Sequence, residues 1–442
     1  MARRSVEGRA AASVPRARSS ARTKRGAAPV ENALAPAPRA RFELPATHRG
    51  VLAPGERVLA LSHVRALLEA PTAPYAEDGP LAVVRAFAAQ HPELEHAEDR
   101  HANVILRWPG AKRARRAKGP ELAYSAHLDH PGFLYAGKRR GVHEATFHGG
   151  VPGRYLPGAR ARFFALSTRE AVATARVGTV RKEGDDTVCT LVDVEGEPGP
   201  GTFGMWDLTP GAIRGTRLHA RVCDDLMGAA AILSTLEWCV RARHEAPLVG
   251  VFTRAEETGF VGCLGLLRER ALGKRVAVVG LECSPRRATA KVGLGPVVRV
   301  GDKQSVFVPW ITERLYAAAV ALHGTNPAFV FQRALMDGGS CESTAYNAYG
   351  VEAGALCLAL GNYHNCGPKD RIAPEFVDWN DHESLIALML AVARGWEAPH
   401  EGKILDRLNR IWNGEYNRLA ASARRLRAGA VSRRTKSTRR AP

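Results

Sequence analysis

The sequence has no run of about 20 consecutive apolar residues, so it offers no membrane-spanning helix. The opening stretch MARRSVEGRAAASVPRARSS has adjacent arginines but no apolar segment behind them, which argues against a secretory signal. Its Arg/Ser/Ala texture still leaves room for an organelle transit peptide. The eight cysteines (189, 223, 239, 263, 283, 341, 357 and 366) form no CxxC and no close regular pairing. Several lie in apolar runs, so they read as reduced, mostly buried thiols of a cytoplasmic protein. Acidic residues are scarce at both ends. Met1–Arg41 holds ten Lys/Arg against two acids, and Leu419–Pro442 holds eight against none.

Those ends carry sixteen of the nineteen net positive charges, so the middle of the chain is nearly balanced. The basic character therefore belongs to two Arg/Ala/Ser-rich tails, 1–45 and 421–442, which read as solvated disorder. Contact with nucleic acid, ribosomes or an anionic surface is the other meaning of such tails. A third basic run, Lys112–Lys118, reads as a solvated loop. A chain of 442 residues is long enough for two or three domains with a sizeable core.

HVRALLEA and LAVVRAFAAQ have helical spacing, NVILRW reads as a strand, and LAYSAHLDH as a buried strand ending in polar residues. Between Phe147 and Thr216 the texture turns to short β-like runs (ARFFAL, ATARVGTV, TVCTLVDV) broken by Gly and Pro. This predicts a small inserted β-barrel over 147–216. It divides a catalytic domain into parts at 46–146 and 217–400, with a helix over 401–420 before the last tail. From Leu218 helices alternate with apolar strands (PLVGVFTR, RVAVVGLEC, AGALCLALG). The predicted fold class is α/β, a mixed sheet covered by helices on both faces, carrying the inserted barrel.

Polar residues follow those buried strands: His127 and Asp129, Asp224 and Asp225, Glu256 and Glu257, Glu282, and His364. Sites in open α/β sheets form beyond the carboxyl ends of the strands, so these scattered residues can converge. A hydrolytic two-metal centre needs N/O ligands, a bridging carboxylate, and a free carboxylate to take a proton from water. Two histidines (His127, His364), a bridging-capable Asp224, terminal Glu257 and Glu282, and a spare Glu256 meet that need. Residues two apart on a strand point the same way, so Asp129 could accept the second ring N–H of His127. More ordinary roles compete at each position, such as a helix N-cap for Asp224–Asp225 or a solvated pair for Glu256–Glu257. His143, His148 and His219 read as surface or supporting residues.

The motifs AHLDH, VCDDLMG, RAEETG, GLECS and YHNC resemble the signature series of di-zinc aminopeptidases. The 97 residues between His127 and Asp224, filled by the β-rich insert, are similar to the spacing in the tetrahedral (TET-type) glutamyl and deblocking aminopeptidases. The resemblance spans roughly Val64 to Trp396. It implies one metal held by His127, Asp224 and Glu282 and a second by Asp224, Glu257 and His364. Glu256 would be the general base, Asp129 would support His127, and Asp225 would be structural, beside an unusual cis peptide that aims Asp224. The implied cofactors are two divalent ions, zinc first, with cobalt or manganese also fitting. The implied partners are short peptide substrates and further copies of the chain, assembled through the insert, with no membrane. The sequence departs from the family at Glu282, where Asp is usual, and at Gly338-Gly339-Ser340-Cys341-Glu342. It departs again at Asn362-Tyr363-His364 and at His130. Two rival readings remain: a related deacetylase or carboxypeptidase-type amidohydrolase, and an inactive scaffold with basic binding tails. An insert lying before Asp224 argues against the first, and the complete ligand set against the second.

Overall fold

A computed structural model describes residues 34, 36–111, 119–273, 275–397 and 403–438. The basic run Lys112–Lys118 and most of the first tail lie outside the described residues. The central element is a mixed sheet. Its strands run in the order Glu95–Glu98, Val104–Trp108, Leu248–Thr253, Glu121–His127, Val276–Gly280, Ala353–Leu360, Val297–Gly301 and Gln332–Leu335. A short strand, Cys283–Pro285, pairs with Ala353–Leu360. The four strands in the middle of that order are mutually parallel and almost entirely buried.

Burial on both faces explains their continuous apolar runs, because successive side chains point to opposite sides. On Glu121–His127, Leu122, Tyr124 and Ala126 face one core. Ala123 faces the other, where Cys263, Leu266 and Tyr346 pack. Helices Pro54–Glu69, Leu226–Arg241, Pro309–Thr325 and Trp379–Gly395 cover the first face, and Val261–Glu269 and Glu342–Ala348 the second. Leu226–Arg241 is apolar nearly all round, in keeping with its position against the sheet and two other helices.

The barrel is closed by six strands in the order Gly132–Arg139, Val142–His148, Asp186–Gly196, Ala171–Glu183, Arg160–Ala165 and Thr202–Trp206. Phe133, Phe147, Phe163 and Trp206 fill its interior. It starts fifteen residues before the predicted Phe147, because 132–148 is already a hairpin. Its turn, Arg140–Gly141, has φ of 51° and 83°, the left-handed pair that a two-residue hairpin loop requires. It also ends earlier than Thr216. Gly211–Arg214 and Arg217–Ala220 leave the barrel and join Glu375–Asp378 in a separate three-stranded sheet.

Both tails are shorter than predicted. Arg41 pairs with that small sheet through Arg41 N–H to Gly211 (2.9 Å) and Ile213 N–H to Arg41 (3.1 Å). Phe42 packs over Gly211 in a space where any Cβ would clash. At the other end the helix predicted to stop at 420 continues from Lys403 to Thr438. Ala, Arg and Leu are strong helix formers, so an Arg/Ala-rich composition does not by itself mean disorder. All eight cysteines are unpaired, and all but Cys366 are buried. Among the described residues no helix is long and apolar enough to cross a membrane.

Candidate metal centre

Each predicted residue sits just past the carboxyl end of a central parallel strand or at the start of a helix. His127 closes its strand, and Asp129 follows two residues later. Glu256 and Glu257 form a single 3-10 turn after Leu248–Thr253, entered through Ala255 at φ 49°. Glu282 follows Val276–Gly280. His364 follows Ala353–Leu360, with a left-handed backbone at φ 51°. Asp224 and Asp225 precede Leu226–Arg241 and are joined by a cis peptide bond. Asp225 caps that helix by accepting from Gly228 N–H at 3.2 Å, so the N-cap reading holds for Asp225.

The fold brings the potential ligand atoms together. His127 Nε2 is 3.4 Å from Asp224 Oδ1, 3.8 Å from Glu282 Oε1 and 3.9 Å from Glu256 Oε2. His364 Nε2 is 3.2 Å from Glu257 Oε2 and 3.7 Å from Asp224 Oδ2. His127, Asp224 and Glu282 form one group with metal-ligand proximity, and Asp224, Glu257 and His364 a second. Asp224 belongs to both groups. His127, Glu256 and Glu257 form a third.

The rings are oriented from behind. His364 Nδ1 lies 3.2 Å from the Gly150 carbonyl, where only the donor tautomer makes a hydrogen bond, and Nε2 is left facing the carboxylates. Tyr363 stacks on the same ring, with centroids 3.7 Å apart. His127 Nδ1 faces Asp129, 3.2 Å from its backbone carbonyl and 3.5 Å from its carboxylate. The Asp129 carboxylate makes its best hydrogen bonds elsewhere than predicted. It accepts the backbone N–H of Glu256 (2.9 Å) and of Glu257 (3.0 Å), so it fixes the Glu-Glu turn as well as flanking His127.

The buried carboxyl groups repel one another and call for protons or cations. Burial drives the carboxyls of Glu256 and Glu257 well above the usual range, and neighbouring carboxylates add to the effect. Glu282 is pushed up to about 8 by burial and then by Asp224. Burial disfavours a charged His127, yet Glu256, Asp129, Asp224 and Glu282 outweigh it and raise the ring's pKa. Burial lowers His364 to about 3. Two buried atoms here, His127 Nε2 and Glu257 Oε1, have no hydrogen-bond partner. An unpaired buried polar atom costs about 1–3 kcal/mol. Divalent ions among these atoms would relieve both the orphaned groups and the carboxylate repulsion. The residues therefore fit such ions, and an all-imidazole and carboxylate donor set suits zinc, cobalt or manganese.

Several residues that shape the site were not among the predicted site residues. Glu77 accepts from Ala255 N–H (2.9 Å) and Arg254 Nε (2.8 Å), bracing the Glu-Glu turn from a distant loop. Glu342 lies buried beneath the site, hydrogen-bonded to Ser125 Oγ at 3.1 Å. Glu375 holds the backbone of the two loops that carry Asp224 and His364. A lone Glu in a loop or edge strand looks like a surface residue until the chain is folded. His130 is buried between the Asp224 carbonyl (3.0 Å) and Asn365 (2.8 Å).

The model of the M42 glutamyl aminopeptidase family matches residues 197–370, a segment holding Asp224, Glu256, Glu257, Glu282 and His364. This chain resembles the M42 peptidases. The match supports a peptide-bond hydrolase, and it agrees with the resemblance read from the motifs. Among solved structures, aminopeptidase APDkam598 from Desulfurococcus kamchatkensis is similar at 18% identity with a TM-score of 0.62, covering 78% of this chain and 98% of that one. The TET1 peptidase of Pyrococcus horikoshii, which can assemble into a tetrahedron or a large octahedral shell, matches at 18% identity and a TM-score of 0.59. That match covers 76% of this chain and 99% of that one. A TET aminopeptidase from a marine-sediment thaumarchaeote matches at 15% identity with a TM-score of 0.61, covering 76% and 96%. At these identities the likeness is one of fold. No curated protein matches the chain significantly in sequence.

Proposed function

We propose that this chain is a two-metal aminopeptidase that removes N-terminal residues from short peptides. The observation that carries the reading is the pair of ligand groups sharing Asp224, with Glu256 beside them and outside both. His127, Asp224 and Glu282 would hold one ion, and Asp224, Glu257 and His364 the other. Such ions, zinc first among the candidates, supply Lewis acidity to a water molecule and to the scissile carbonyl.

The chain's own residues supply the rest. Glu256 Oε2 lies 3.9 Å from His127 Nε2, at the edge of the cluster and outside the two groups that share Asp224, so it is left to move a proton. Its carboxylate would take a proton from water and return it to the leaving amine. Asp129 fixes that turn through two backbone N–H groups. Gly150 and Asp129 keep the imidazole Nε2 atoms aimed inward. The M42 match and the assemblies named for similar structures support a homo-oligomer acting on peptides. The deciding experiment is metal content measured alongside hydrolysis of an aminoacyl-amide panel, before and after chelation. About two ions per chain, with activity lost on chelation and restored by zinc or cobalt, supports the proposal. Bound metal with every aminoacyl substrate inert would shift the reading to another amidohydrolase.

A further inference from the structure

The two loops that bear Asp224 and His364 are about 140 residues apart in sequence, and neither runs in a regular ladder where it meets the site. Asn362, His364 and Asn365 all have left-handed backbone, with φ of 52°, 51° and 59°. Such conformations are strained for residues with a Cβ, and they persist only where surrounding contacts impose them. The N–H groups of this turn and of Cys223–Asp224 therefore need an acceptor from elsewhere.

One side chain meets that need on both loops. Glu375, at the start of the strand Glu375–Asp378, is fully buried. Its Oε2 accepts from Cys223 N–H at 2.6 Å and Asp224 N–H at 3.2 Å. Its Oε1 accepts from His364 N–H at 2.8 Å. Two oxygens thus collect three backbone donors, two from one loop and one from the other. The strand that carries Glu375 is itself fixed: its neighbour Phe376 pairs with Gly361 in both directions (2.9 and 3.1 Å). No Cβ could stand at Gly361, because the Phe376 ring occupies that space. His130 joins the same two loops a second time, through the Asp224 carbonyl and Asn365 Oδ1.

We infer that Glu375 is a positioning residue that sets the distance between the shared carboxylate Asp224 and the imidazole of His364, so that the second ion's ligands stand ready before metal arrives. The inference rests on the two-metal reading. Glutamine at this position keeps the shape but turns one oxygen into an NH2. Whichever way it is flipped, that NH2 faces N–H donors of one loop, and the loops lose their common acceptor.

The test is Glu375→Gln in the full-length chain, read by zinc competition against a chromophoric chelator at a temperature where circular dichroism shows it folded. The expected result is one ion bound about 10–100-fold more weakly, the other nearly unchanged, and activity partly recovered in excess zinc. A role confined to general stability would lower the melting temperature without moving metal affinity, and unchanged affinity for both ions in the folded variant overturns the inference. A second measurement needs no variant: amide hydrogen exchange in the metal-free wild-type chain. The amides of Cys223, Asp224 and His364 should stay protected without metal. If they exchange as freely as in an open loop, the acceptor does not pre-form the site and the inference fails. Should the wild-type chain bind no metal at all, the two-metal reading falls by that result, while the exchange data still judge whether Glu375 holds the loops.

Discussion

Glu256 and Glu257 are neighbours in one 3-10 turn, yet only Glu257 comes within 3.2 Å of a histidine nitrogen. That difference is why the proposed mechanism gives proton transfer to Glu256. A Glu256→Gln variant should lose about 10²- to 10⁴-fold in kcat while its metal content stays at the wild-type level, measured by steady-state kinetics and metal analysis. Retained activity would remove Glu256 from the mechanism. A second residue-scale prediction concerns stability away from the centre. His382 is fully buried, neither ring nitrogen has a partner, and burial lowers its pKa from 6.5 to about 3. The unfolded chain therefore binds a proton that the folded chain refuses as pH falls below 6.5. Stability from this residue is intact above that pH and is lost progressively below it, by on the order of 2 kcal/mol at pH 5. Denaturant unfolding at pH 7, 6 and 5 should show a steeper loss for the wild type than for His382→Leu. Equal losses would mean that His382 takes up its proton in the fold.

At the scale of elements, the parallel strands end at one side of the sheet, and the turns that carry the candidate ligands are braced from elements far away in sequence. The Glu-Glu turn depends on Asp129 and Glu77, and the His364 ring on the barrel residue Gly150. The C-terminal helix stands apart from this scheme. Leu408, Ile411, Trp412, Tyr416, Leu419 and Leu426 lie along one of its faces and are all at least half exposed. Its arginines at 407, 410, 418, 424 and 425 occupy other faces. A helix so exposed contributes little to the folded body. Truncation before Lys403 should leave the melting temperature within about 2 °C of the full chain and aminopeptidase activity unaltered. A fall of more than about 5 °C in differential scanning fluorimetry would show that this helix packs on the body.

At the scale of the molecule, the fold gathers Asp129, Asp224, Glu256, Glu257 and Glu282 in one buried region with His127 and His364. Such a concentration of carboxyl groups opposes the compact state unless protons or cations neutralise it. Chelation should therefore lower the melting temperature, and zinc should restore it in a concentration-dependent way. An ion at 100 times its dissociation constant adds about 2.7 kcal/mol. A melting temperature indifferent to chelator and metal would mean that the cluster neutralises itself by protonation.

The sequence by itself determined the sheet class, the presence of a β-rich insert and the identity of the clustered residues. Apolar strands buried on both faces and acids placed directly after them are local patterns, written in consecutive residues. The tertiary structure alone decided the barrel's limits, the length of the last helix, and the bracing by Glu77, Glu375 and Gly150. Hairpin pairing and closure are settled by partners distant in the chain, and an isolated glutamate or glycine has no local pattern to distinguish it. Its role exists only once burial removes water and leaves particular backbone N–H groups with a single acceptor within reach.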